Sequence, residues 1–70
     1  MSKPTAELSD WRFDDRVEFP RLVGTVRNHY DRPDLHDGES IYTSRLLRID
    51  FEANTAETRN TIYKLSNRIA

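Results

Sequence analysis

Two β-branched segments, residues 21–28 and 41–49, flank a polar loop that closes on Asp37-Gly38, and this pattern commits the middle of the chain to paired strands. In the first segment Leu22 and Val26 fall on one face, and Val23, Thr25 and Arg27 on the other. Gly24 within it marks a bulge or a close backbone approach. In the second segment Ile41, Thr43, Arg45, Leu47 and Ile49 alternate with Tyr42, Ser44, Leu46, Arg48 and Asp50. Neither face is clean, which predicts a bulge near 45–46 or partial cover on both sides. A helix would place Tyr42, Leu46 and Ile49 on one stripe, but Ile41 and Thr43 behind a glycine turn favour a strand. The loop at 29–39 is longer than a tight hairpin needs, and loops of that kind in small domains often carry function.

The flanks read less sharply. Residues 1–10 are small and polar, with Pro4 and a single leucine, and predict a flexible tail ahead of one small domain at 11–70. Trp11 and Phe13 alternate, as do Val17 and Phe19, on either side of Asp14-Asp15-Arg16. They predict two short extended pieces with Trp11 and Phe19 as core cover. Residues 50–54 look like a hairpin connection, 55–58 a returning strand, 59–60 a turn and 61–65 a closing strand. A helix competes here: Asn54 and Glu57 mimic a capping box, and Thr58, Ile62, Leu65 and Ile69 would form its stripe. The threonines weaken that helix. The expectation is an all-β fold, a small SH3-like barrel or a twisted antiparallel sheet of about four or five strands. The alternative is an α+β fold with a C-terminal helix at 55–69.

A chain of 70 residues buries only a thin core, and without cysteine it has neither disulfides nor thiolate zinc sites to reinforce it. Self-association is the remaining device, so a homo-oligomer (a dimer or higher) is expected. The formal net charge of −1 argues against strong duplex nucleic-acid binding and against anionic membranes as the main partner. His29 and His36 are too few for a closed metal site unless Asp31, Asp34 or Asp37 join them, and no metal or cofactor is expected. No apolar run reaches transmembrane length and residues 1–10 hold no signal-peptide core, which predicts a cytoplasmic protein.

Nine of the 11 basic residues are arginine, whose planar fork of donors suits carboxylates and phosphates. Arg45 is the sharpest pointer to a site, because an inward or half-buried guanidinium on a mostly apolar face is costly unless something pairs with it. Thr43 and Ser44 put two hydroxyls beside it. With Arg27, Arg32 or Arg59 they would hold a phosphate through charge-assisted hydrogen bonds. Tyr30, Tyr42 or Tyr63 would stack on a base, and His29 would contact the ligand from the loop. The competing reading pairs Arg45 with Glu57 or Asp50. No nucleophile signature, phosphate-cradling glycine loop or metal spacing accompanies the histidines, so the chain reads as a binding protein and not an enzyme. A second surface, Trp11, Asp14, Asp15 and Tyr30, offers acidic groups and aromatics to a protein partner.

Gly24-Thr25-Val26, His29, Asp37-Gly38, Ile41, Thr43-Ser44, Asp50, Thr58 and Tyr63-Lys64-Leu65 together resemble a family of short phage- and prophage-encoded proteins. Its pattern runs G-x-V, H-P-R-F, D-G-x-x-I-x-T-S, an acidic turn and a closing T-x-x-x-x-Y-x-L strand. The match spans residues 22–65. Where the family has H-P-R-F directly before D-G, this chain carries the longer segment 29–36. The resemblance implies a small β-barrel-like fold and a phage setting in a bacterial cell. Small phage accessory proteins often counter host defence, either by sequestering a nucleotide-derived immune signal or by sitting on a defence complex such as a CRISPR–Cas effector. A structural or accessory phage role is the further alternative.

Overall fold

Alternating apolar and polar positions build six strands: β1 (Thr5–Asp14), β2 (Arg21–Arg27), β3 (Glu39–Tyr42), β4 (Leu46–Asp50), β5 (Thr55–Thr58) and β6 (Ile62–Leu65). The computed structural model describes residues 3–29, 32 and 34–69, and among them there is no helix. The fold is all-β, as expected, with six strands in place of the four or five anticipated. The strands form one sheet in the order β3-β2-β1-β6-β5-β4. Neighbours are antiparallel except β1 and β6, which run parallel with Thr5 opposite Ile62 and Leu8 opposite Leu65. A flat sheet of this width would be a thin slab, yet the molecule measures 27 × 26 × 25 Å. The sheet is therefore strongly curled, with one face closed around the core.

That core is Ala6, Leu8, Trp11, Leu22, Val26, Ala56, Tyr63 and Leu65, with Leu35, Ile41, Leu46 and Ile49 packed against it. From Thr5 onward the expected tail is instead the first half of the central strand. Ala6 and Leu8 alternate with exposed Thr5 and Glu7, a pattern too short and too polar in composition to stand out in the sequence. Once β1 lies between β2 and β6, both rows of its backbone groups are paired, and Leu8 is wholly buried. Trp11 is buried as expected, but Phe19 is 39% exposed, in the connection between β1 and β2.

The single long strand expected at 41–49 is broken. Residues 43–45 form a corner between β3, on one edge of the sheet, and β4, on the other. Thr43 holds it: its N–H donates to Leu22 O at 2.8 Å, its hydroxyl accepts Leu22 N–H at 2.9 Å, and that hydroxyl donates to Ser44 O at 2.9 Å. Leu46 N–H then donates to Pro20 O at 2.8 Å. The β4–β5 register shifts between Leu46 and Arg48, close to the bulge expected at 45–46.

The C-terminal third is strand and not helix. Asp50 Oδ1 accepts Glu52 N–H at 3.0 Å and Ala53 N–H at 3.1 Å, which folds the β4–β5 turn, and Asn54 closes it at φ 55°. Thr58 and Thr61 close the next turn: the Thr58 hydroxyl donates to Thr61 O at 2.9 Å and accepts Thr61 N–H at 3.2 Å. Local side-chain bonds of this kind compete with the helix that the capping-box pattern suggested. No helix of the described residues is long and apolar enough to cross a membrane.

Candidate functional site

The corner at 43–45 and the β5–β6 turn meet where the curled sheet nearly closes. Arg59 N–H donates to Arg45 O at 3.0 Å, tying the two arginines together through the backbone. Phe19, Ser44, Arg45, Arg59 and Asn60 line one open depression of about 420 Å³. A second, of about 380 Å³, is lined by residues that include His29, Ser40, Tyr42, Thr61 and Tyr63. Ser44 and Asn60 border both, so the two depressions form one continuous trough.

Arg45 is exposed, not inward or half-buried as its alternation in one long strand would require. The chain leaves the sheet at the corner, and the pleat no longer dictates where residue 45 faces. The intramolecular carboxylates that could claim it do not pair with it. Glu57 accepts Lys3 Nζ at 2.7 Å and Arg48 Nε at 3.1 Å, and Asp50 Oδ1 holds its turn. Among the described residues neither Arg45 nor Arg59 forms a salt bridge.

The other expected residues separate into two groups. Ser44, Arg59, Tyr42, Tyr63 and His29 join Arg45 around the trough. Thr43 and Arg27 do not. Thr43 is buried with its hydroxyl engaged at the corner, a structural role. Arg27 ends β2 opposite Glu7 of β1 and lines neither depression. His29 is buried; its Nε2 lies 3.1 Å from Thr61 Oγ1, and its ring meets Tyr63 edge-on at a centroid distance of 5.8 Å. Burial pushes the Tyr63 phenol upward, against the opposing effect of a hydrogen bond with Thr61. Phe19 and Asn60 were not anticipated at the site. A residue that follows a turn arginine in Arg59-Asn60, and an aromatic just before Pro20, were the only signals for them.

The second surface does not assemble as an exposed patch. Trp11 and Asp14 are buried, Asp15 is exposed, and Tyr30 lies outside the described residues. Asp14 instead anchors the wall of the trough. Its Oδ1 accepts Arg16 Nε at 3.0 Å and Arg16 N–H at 3.1 Å, and its Oδ2 accepts Arg21 Nε at 2.7 Å. Arg16 donates to the Tyr42 hydroxyl at 2.6 Å, and the Arg21 guanidinium stacks 4.4 Å from the Tyr42 ring centre. Arg16 first, and then Arg21, hold the Asp14 carboxyl far below its ordinary value of 3.8. A carboxyl depressed in the folded state contributes stability above its unfolded pKa and loses it as pH falls towards the folded one. Denaturant unfolding should therefore show stability falling below about pH 4, with Glu57 and Asp34, also lowered by their basic partners, adding to the slope. Asp14→Asn should be less stable at neutral pH and flatter across that acid range.

Among the described residues no group of three or more His, Cys, Asp or Glu side chains is placed to hold a metal ion. Comparison with protein-family models, with curated proteins and with solved structures gives no match to this chain.

Proposed function

We propose that this chain is a non-enzymatic binding protein whose trough takes a nucleotide-type anion, with the phosphate held at Arg45 and Arg59 and the base towards Tyr42 and His29. The observation that carries the reading is two arginines, joined by a backbone hydrogen bond, that line one depression and have no carboxylate of their own among the described residues. Two like charges on one depression repel, and an anion bound there relieves that repulsion. An incoming phosphate would receive both guanidinium forks, the Ser44 hydroxyl and the Asn60 amide. Every one of these groups can donate, which suits capture of an anion; turnover would need a base and a nucleophile as well.

The motif resemblance to phage proteins gives this capture a use. Sequestering a nucleotide-derived immune signal would blunt a host response by mass action, provided that binding is tight and the protein abundant. The chain is proposed to act in the bacterial cytoplasm as a homo-oligomer, because the buried apolar core among the described residues is only eight side chains. Titration calorimetry against inorganic phosphate, pyrophosphate and a panel of linear and cyclic nucleotides tests the reading. Heat of binding is expected for at least one nucleotide, exceeding that for phosphate alone because the second depression adds contacts. Silence across the whole panel would defeat it.

A further inference from the structure

We infer that a second copy of this chain adds antiparallel to the outer edge of β4, centred on Ile49, so that Arg48 faces the partner's Asp50 and Leu47 faces the partner's Phe51. This gives the proposed self-association an interface, and it stands whether or not the trough binds a nucleotide.

The argument begins with the hydrogen-bond parity of the sheet. Leu65 N–H donates to Asn54 O at 2.7 Å, while Ile62 N–H and Ser66 N–H donate across to β1, to Pro4 O and Leu8 O. Residues 63 and 65 of β6 therefore turn their backbone groups to β5, and 62 and 64 turn theirs to β1. Ala56, opposite Tyr63, points to β6, so Thr55 and Glu57 point to β4. Their partners Asp50 and Arg48 point back to β5. Ile49 lies between them, and its N–H and C=O point outward from the last strand of the sheet. At the start of β4 the outer edge is covered, since Leu46 N–H reaches Pro20 O. Past the bulge it is open.

An open edge offers a pairing template, and natural sheets usually blunt it. At the opposite edge, Arg16 and Arg21 lie across Tyr42 of β3. At β4 the side chains instead favour a copy of themselves. Antiparallel pairing about Ile49 is two-fold symmetric, so position 48 meets 50, and 47 meets 51, twice over. Arg48 is exposed and spends its Nε on Glu57, which leaves the rest of its fork for a second carboxylate. Asp50 uses Oδ1 for the turn, and Oδ2 forms no hydrogen bond among the described residues. Leu47 and Phe51 are 53% and 58% exposed, the two most exposed large apolar side chains described, and they stand at the two ends of this edge. The register that matches opposite charges also brings these two together. A partner of unrelated sequence would have to reproduce both features.

Sedimentation equilibrium over about two decades of concentration, with amide exchange read residue by residue, tests this. The expected species are an 8.3 kDa monomer and a form of twice that mass, with the Ile49 amide exchanging more slowly as the larger form fills. Leu47→Lys should raise the dissociation constant by at least about tenfold. Phe51→Lys, in the exposed turn, serves the same purpose should the strand variant fold poorly. A chain synthesised with an N-methyl group on Ile49 removes only the outward N–H, and it should be monomeric with an unchanged circular dichroism spectrum. A monomer at every concentration overturns the inference. So does a dimer whose Ile49 amide exchanges freely and whose stability is indifferent to both lysine variants.

Discussion

Arg45→Ala should sharply weaken nucleotide binding while leaving the fold intact, and Arg45→Ala combined with Arg59→Ala should abolish binding of every ligand that carries a phosphate. Both side chains are exposed and neither has an acidic partner among the described residues, so truncation strands no buried charge. Surface changes of that kind usually alter stability by no more than about 0.5 kcal/mol. A hydrogen bond to a charged group is worth about 1.5–3 kcal/mol, or roughly 10- to 150-fold in affinity for each arginine. Arg45→Lys keeps the charge but loses the planar fork, and it should fall between wild type and alanine. Arg27→Ala should bind like wild type, because Arg27 lies outside the trough. Calorimetry gives the affinities and thermal unfolding gives the stabilities. A large fall in the unfolding temperature of Arg45→Ala, with affinity preserved in the folded fraction, would make the guanidinium a structural group and remove the site.

Strand content was readable where side-chain chemistry acts locally. Leu22 and Val26 on one face of β2, the Asp37-Gly38 turn and the connection at 50–54 follow from β-branching, a glycine at φ 92° and an aspartate that caps its own turn. Non-local pairing was not readable. The parallel match of β1 to β6 joins distant parts of the chain, and nothing at residues 5–8 marks a strand paired on both sides. The corner at Thr43 was hidden for a related reason. Alternation continues through 41–49 in the sequence, and only the bonds from Thr43 to Leu22 and from Leu46 to Pro20 reveal that the chain changes edges. The site inherits that error. Arg45 was singled out on the premise of an inward strand position, yet it reaches the trough from an exposed corner. Its pairing with Arg59 depends on the separate turn between β5 and β6.

Gly24→Ala should be among the most destabilising single substitutions in the chain. The register of β1 on β2 places Ser9 opposite Thr25 and Arg12 opposite Val23, so Asp10 and Trp11 together face Gly24. Asp10 takes a positive φ of 49° to accommodate the extra residue, and Trp11 is laid down over the glycine into the core. A Cβ at position 24 would lie 2.9 Å from Ser9 O, 3.0 Å from Leu8 Cγ and 3.0 Å from Trp11 Cβ. The first is backbone, and the other two belong to buried side chains, so no flexible tip can swing aside. Overpacking of this kind costs about 1–3 kcal/mol. A domain of this size holds roughly 4–10 kcal/mol in total. Each kcal/mol shifts the unfolding midpoint of such a domain by about 4–8 °C. A red-shifted Trp11 emission should accompany the loss, because the indole is what must move. Gly38→Ala separates this steric effect from a backbone one. Gly38 is exposed at φ 92° with open space where a Cβ would stand, so its substitution should cost only about 1 kcal/mol of conformational strain and leave the Trp11 spectrum unchanged. Equal losses from the two alanines, with no spectral change in either, would mean that β1 can shift off the glycine and that the bulge does not fix the indole.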